Sequence, residues 1–111
     1  MPGRPTVLTA TIANGASLSD ALDVGVGTVI GFNVPTITSA ALSFQASDDG
    51  VTYNNVKDAA AAEVTIAASV GAMFVGAPAA LQGAAFIKLR SGTSGAPVAQ
   101  GAQRLIQVVI K

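Results

Sequence analysis

Residues 40–56 read A-A-L-S-F-Q-A-S-D-D-G-V-T-Y-N-N-V, and their first half alternates between two kinds of side chain. Leu42 and Phe44 fall on one side of the chain and polar residues fall on the other, which is typical of a strand with one buried face. The D-D-G sequence at 48–50 predicts a tight turn, because Gly tolerates positive φ and Asp hydrogen-bonds its own backbone. Residues 51–56 are then predicted to return as a second strand. The apolar face of this hairpin requires a covering sheet.

Further strands are predicted on both sides of the hairpin. The clearest alternation of apolar and polar residues covers positions 6–12, 28–34, 85–91 and 104–111, and weaker alternation covers 18–24, 63–67 and 73–75. Asn-Gly, Pro and Gly-rich segments separate these runs, and no helical periodicity of useful length competes with them. About eight short strands with frequent turns predict an all-β fold, an antiparallel two-sheet β-sandwich or jelly roll.

The alternation also predicts which side chains point inward. The residues expected to meet in one core are Leu42, Phe44, Ile87, Leu89, Ile106 and Val108. In the strand at 28–34, Ile30 and Phe32 are expected to point inward as well. The last strand is apolar on both faces, which predicts a central position or cover on both sides. Residues 57–62, which include four consecutive Ala, are expected to form a loop or a single turn.

Composition limits the domain organisation and the surface. A chain of 111 residues corresponds to one domain, placed at residues 6–111 behind an extended arm at 1–5, where two Pro and one Gly disfavour a helix. Only 11% of the residues are charged, with six acidic and six basic side chains. So few charges protect a free monomer poorly against self-association. Two explanations stay open: a surface covered by partners, or an Ala-rich composition from a GC-rich genome.

Several classes of protein are excluded by what the sequence lacks. The chain has neither Cys nor His, so it offers no disulfide, no thiolate metal site and no histidine general base. We therefore expect no enzyme, no cofactor and no catalytic residue. Without a basic excess, no nucleic-acid partner is expected. No apolar run reaches the ~18 residues of a membrane span, and the N-terminus lacks the apolar segment of a signal peptide.

Candidate metal and catalytic residues each have a simpler explanation. Asp48, Asp49 and Asn54 carry the oxygen ligands that calcium prefers, but a hairpin turn demands the same residues. A full loop of alternating carboxylates is missing, so no metal site is predicted. Asp20 and Asp23 have an odd spacing along a strand and project to opposite faces, which excludes a catalytic carboxylate pair.

Four segments together resemble a family of small proteins encoded among the virion genes of tailed bacteriophages and prophages. These segments are I-A-N-G-A-S-L-S-D-A-L-D-V-G (12–25), G-T-V-I-G-F-N-V-P (27–35), L-S-F-Q-A-S-D-D-G-V-T-Y (42–53) and F-I-K-L-R-S-G-T-S-G-A-P-V-A-Q-G-A-Q-R (86–104). The similarity covers nearly the whole chain from Thr6 onward. The third segment and F-I-K-L-R-S also resemble paired strands of galactose-binding-like sandwiches, although the chain has no Trp and a single Tyr.

The resemblance implies a virion structural component that is made in the cytoplasm of a host bacterium. The first hypothesis is a multi-copy capsid decoration, or cement, protein on the capsid surface, whose partners are the major capsid protein and copies of itself. The alternative is a receptor- or carbohydrate-binding module of a head fibre or tail tip. The residues expected to contact a partner, because they are placed on the arm or on outward faces of strands, are Arg4, Phe86, Lys88, Arg90, Leu105 and Val109.

Overall fold

The computed structural model describes residues 6–25, 27–38, 41–67, 72–74 and 76–111, with the side chains of 72–74 excluded. The fold is all-β, and the described residues form nine strands and one 3-10 helix. In chain order the strands are β1 (Thr6–Ile12), β2 (Leu22–Asp23), β3 (Val29–Val34), β4 (Ala41–Ser47), β5 (Asn54–Asn55), β6 (Thr65–Ala67), β7 (Ala72–Phe74), β8 (Phe86–Ser91) and β9 (Arg104–Ile110). The 3-10 helix, Ala79–Gly83, lies between β7 and β8.

The strands form two antiparallel sheets. One sheet has four strands in the order β1-β9-β3-β7. The other has five, in which β2, β8, β4 and β5 are neighbours in that order and β6 also pairs with β4. The β5 strand pairs with β4 near Gln45, and β6 pairs with the same strand near Leu42, so these two short strands follow each other along one side of β4. The predicted antiparallel two-sheet sandwich is confirmed.

The core lies between the inner faces of the two sheets. All six residues predicted to meet there are fully buried: Leu42, Phe44, Ile87, Leu89, Ile106 and Val108. Phe32 from the four-stranded sheet contacts Phe44 from the five-stranded sheet, with ring centroids 5.5 Å apart. Leu81 of the 3-10 helix is also buried and belongs to this core. The apolar area removed from water at these positions is the main stabilising contribution.

The hairpin that begins with β4 is looser than predicted. The return strand is limited to Asn54 and Asn55, with one further backbone hydrogen bond from the Val56 N–H to the Phe44 carbonyl, and Val51 is 82% exposed. The carboxylate of Asp49 accepts hydrogen bonds from the backbone N–H groups of Val51 and Thr52, at 2.8 and 3.0 Å. Because these groups are satisfied locally, residues 48–53 form a loop and do not extend the strand.

The prediction that Ile30 points inward is wrong. The register between β3 and β9 shifts between Val29 and Gly31, which marks a β-bulge. The extra residue moves Val29 to the buried position, with 4% of its surface exposed, and leaves Ile30 half-buried. Phe32 points inward as predicted, because the regular alternation resumes after the bulge.

One of the weaker segments forms less strand than predicted, and the Ala-rich segment forms a turn. In the segment 18–24, only Leu22–Asp23 is a strand, and Leu18 makes an isolated bridge to Arg90. Residues 57–62 form a turn in which the Asp58 carboxylate accepts hydrogen bonds from the N–H groups of Ala60 and Ala62. This turn agrees with the loop or single turn expected for the Ala run.

Candidate interaction surfaces

Within β1, β9 and β3, the outer face of the four-stranded sheet carries no charged side chain; the exposed Lys111 follows directly after β9. We call this surface the uncharged face and define it by the residues Val7, Thr9, Asn33, Leu105, Gln107 and Val109. The registers place Thr9 opposite Gln107 in β9, and Gln107 opposite Asn33 in β3. Directly opposed residues of antiparallel strands share one face, so these six side chains lie together.

The uncharged face exposes apolar surface. Val7 and Leu105 are each 51% exposed, and Val109 is half-buried between its neighbours in β1 and β3. A shallow cleft of about 290 Å³ lies beside Leu105, with Asn33 and Gln107 in its wall. Leu105 and Val109 therefore lie on one outer face, where the sequence placed them. The sequence prediction missed Val7 and Thr9, although the absence of any charge from residues 6–12 was a usable signal.

The outer edge of β1 is open at Val7 and Thr9, as far as the described residues show. Near one end, Asp20 closes the edge: its carboxylate accepts a hydrogen bond from the Thr11 N–H at 2.8 Å, and its own N–H donates to the Thr11 carbonyl at 3.2 Å. Since backbone groups alternate in direction along a strand, Val7 and Thr9 direct their N–H and C=O groups to the same edge. Among the described residues, none is hydrogen-bonded to Val7 or Thr9 at this edge.

Hydrogen bonds on the other side of the sheet give the same alternation. Lys111 exchanges two backbone hydrogen bonds with Thr28, both 2.9 Å long, at the start of β3. Odd-numbered residues of β9 therefore bond towards β3 and even-numbered ones towards β1. The register then assigns the even-numbered residues of β1 to the ladder with β9, and leaves the odd-numbered ones on the open edge.

The predicted exposure of Arg90 is wrong. Arg90 is 7% exposed and lies in a polar network on the outer side of the five-stranded sheet. Its guanidinium donates hydrogen bonds to Ser43 Oγ at 2.9 Å, to Asn55 Oδ1 at 3.1 Å and to Glu63 Oε2 at 3.1 Å. Glu63 and the loop beginning at Gly92 fold over this part of the sheet, which the strand pattern alone does not reveal. A guanidinium with three partners is a structural group and is not available to another molecule.

The carboxylate of Glu63 ties two covering segments together. It accepts a hydrogen bond from the Ser94 N–H at 2.9 Å and pairs with Arg90. Desolvation raises the pKa of Glu63, but the hydrogen bonds from Ser94 and the charge of Arg90 outweigh it, so the pKa is lowered from its ordinary 4.5. The ionised form is therefore the one that the fold stabilises.

Phe86 and Lys88 are less free than predicted, and they lie on the opposite side of the sandwich from Leu105 and Val109. Phe86 is half-buried, and its ring lies so close to Gly50 that a Cβ there would come within 3.3 Å of the ring. The Lys88 ammonium lies 4.3 Å from the centroid of the Tyr53 ring, which is a cation–π contact. Phe86 therefore cannot form one apolar patch with the exposed residues of β9.

A second, polar cleft of about 400 Å³ lies at the end of the sandwich beyond β4 and β5. Its wall of small residues includes Ala46, Ala80, Gly83 and Ala84, and its polar rim includes Asp48, Asp49, Thr52, Asn54 and Lys57. Asp49 is occupied by hydrogen bonds within the loop, which lower its pKa below 3.8; the backbone N–H of Thr52 contributes most. The rim mixes hydrogen-bond donors and acceptors, as recognition of a polar, uncharged ligand requires.

The remaining candidates have structural partners or lie outside the described residues. Asp23 accepts the N–H of Gly25. Arg4 and the predicted arm lie outside the described residues. Within the part of the chain that the structure describes, no group of three acidic side chains converges as a metal site would require. The same part contains no helix long and apolar enough to cross a membrane.

Comparison of the chain with models of known protein families, with curated proteins and with solved structures finds no match.

Proposed function

We propose that this protein is a multi-copy structural component of a phage virion, most specifically a capsid decoration protein that binds the major capsid protein and lies beside copies of itself. The observation that carries the proposal is the uncharged face, which exposes Val7 and Leu105 on a regular sheet. The sequence resemblance to phage virion proteins gives the biological setting. The small number of charges in the chain agrees with a surface that works in contact with neighbours.

The chemistry of the uncharged face defines the expected contact. Val7, Leu105 and Val109 supply apolar area, while Asn33 and Gln107 supply amides that can reach a partner's backbone. The Asn33 amide N–H already donates to Gln107 Oε1 at 3.2 Å, so the two side chains are held together in advance. Since no charge lies on this face, attachment should depend on buried apolar surface and hydrogen bonds, which salt screens little.

The test uses purified virions from a host that carries this gene. A protein gel gives the copy number per particle, which we expect to be in the hundreds for a shell protein. The particles are then washed in ~1 M salt, where the Debye length falls to about 3 Å, and the retained protein is measured. We expect most copies to remain. Absence of the protein from virions, or its loss in the wash while the shell stays intact, would contradict the proposal.

A second function, a receptor- or carbohydrate-binding module of a head fibre or tail tip, is favoured by the polar cleft. Asn54 and Thr52 there could donate to and accept from the hydroxyl groups of a neutral sugar. Titration with neutral mono- and disaccharides, followed by NMR, tests this function. Shifts confined to the cleft and abolished by Asn54→Ala, but not by Asn33→Ala on the other sheet, would support it, together with only a handful of copies per particle. No shift at millimolar sugar would reject it.

A further inference from the structure

The open edge of β1 is bounded by Asp20 near one end and, in the sequence, by a proline before the other. Asp20 occupies the backbone groups of Thr11. Pro5, two residues before Val7 in the sequence, has no N–H to donate. Between these ends, Val7 and Thr9 present two N–H and two C=O groups to the same edge. Natural sheets usually protect such an edge with charged residues, and the strand Thr6–Ile12 contains none.

We propose that this edge pairs with the same edge of a second copy, so that two four-stranded sheets join into one across a two-fold axis. We call the residues whose backbone N–H and C=O groups point to the open edge bonding residues. When β1 pairs in antiparallel fashion with the β1 of a second copy, bonding residues must lie opposite bonding residues. With Thr11 occupied, the register that uses both bonding residues of each copy puts Val7 of each copy opposite Thr9 of the other. Leu8 then lies on the two-fold axis and faces its own equivalent.

The side chains in this register suit a second copy. Val7 and Thr9 are β-branched residues, which pack well as opposed pairs on a sheet surface. Leu8 is half-buried against the core, and its exposed part would be covered by the Leu8 of the neighbour. No like charges meet across the axis, because β1 carries no charge. The pairing ends before Thr11, because Asp20 already occupies the outward backbone groups of that residue.

The proposed pairing rests on the proposed function in one respect only, which is that copies lie beside one another on a particle. Its test needs the purified full-length protein alone, whereas attachment to a shell is judged on virions. A protein that pairs in solution but is absent from virions would leave the pairing valid and reject the proposed function. A protein that is retained on virions but never pairs in solution would reject the pairing and leave the proposed function valid.

The experiment measures self-association by analytical ultracentrifugation over a range of concentrations. We expect a monomer–dimer equilibrium for the wild-type chain. Val7→Glu and Thr9→Lys should each weaken association about tenfold, since each places an unpaired charge in both symmetry-related pairs. The double variant V7E/T9K should recover most of the affinity, because the proposed register puts Glu opposite Lys twice.

Matched controls keep the result interpretable. Val51→Glu and Thr52→Lys make the same chemical changes in an exposed loop of the other sheet and should leave association unchanged. Thermal unfolding shows whether each variant is folded. Thr9→Pro removes one N–H from the open edge without touching the ladder to β9, and it should also weaken association. A wild-type chain that stays monomeric at every concentration, or a double variant weaker than either single one, would overturn the proposed pairing.

Discussion

The outer faces of the two sheets differ in what covers them. On the five-stranded sheet, the chain folds its own segments over Arg90, and Glu63, Ser43 and Asn55 satisfy the guanidinium. On the four-stranded sheet, the described residues leave Val7 and Leu105 about half-exposed without a charged neighbour on the face. On the five-stranded sheet, a charged strand residue, Arg90, is therefore part of an internal polar network. On the four-stranded sheet, the apolar residues Val7 and Leu105 remain exposed. The side chains that are exposed in this fold are therefore determined by which loops cover each strand.

Both sheets share the core that lies between them, so a substitution in this core should lower the stability of the fold most. Phe44→Ala removes a fully buried ring that contacts Phe32 across the sheets. We expect the free energy of unfolding to fall by about 3–5 kcal/mol, through lost burial and the cavity left behind. Urea denaturation followed by circular dichroism measures this change. A midpoint that barely moves would show that the two sheets do not share this core.

Removing Arg90 from the polar network on the five-stranded sheet should have the next largest effect on stability. Arg90→Ala removes the cation paired with Glu63 and the buried donor to Ser43 Oγ, and we expect a loss of about 2–3 kcal/mol of stability. Lys88→Ala on the same strand is the control, because it removes only a cation–π contact worth about 0.5–1 kcal/mol. Equal losses for both variants in urea denaturation would mean that the Arg90 network adds no stability.

The same network predicts a dependence of stability on pH. The lowered pKa of Glu63 means that its contribution is present above the unfolded value near 4.5 and is lost as pH falls through the folded value. Melting temperatures measured from pH 6 downward should therefore decrease, and Glu63→Gln should lessen the decrease. Asp49, whose pKa is also lowered, contributes a change of the same sign. An identical pH profile for Glu63→Gln would exclude Glu63 as a source.

The uncharged face should contribute least to the stability of the isolated chain. Leu105→Thr replaces a half-exposed side chain by a good strand former of similar polarity to its neighbours, so stability should change by no more than about 0.5 kcal/mol. Thermal unfolding measures this change. A loss above about 2 kcal/mol would mean that Leu105 is covered within the folded chain, and the contrast between the two faces would fail.

Sequence patterns predicted the strands and the core well and the surfaces less well. Alternation in residues 41–47 and 104–110 placed Leu42, Phe44 and Val108 correctly, because burial repeats every second residue. The bulge that displaced Ile30 and the loop held by Asp49 depend on local backbone hydrogen bonds that alternation does not encode. The burial of Arg90 depends on Glu63, 27 residues away, and on loops whose course no periodicity records.

The most direct measurement compares two charged substitutions on assembled particles. Leu105→Asp places a carboxylate in the uncharged face, and Val51→Asp places one on the loop of the five-stranded sheet, where 82% of Val51 is exposed. Each variant is supplied to particles that lack the protein, and the bound copies are counted on a gel. We predict that Leu105→Asp loses most of its attachment while Val51→Asp binds like the wild type. Equal binding of the two variants would contradict the assignment of the contact to the uncharged face.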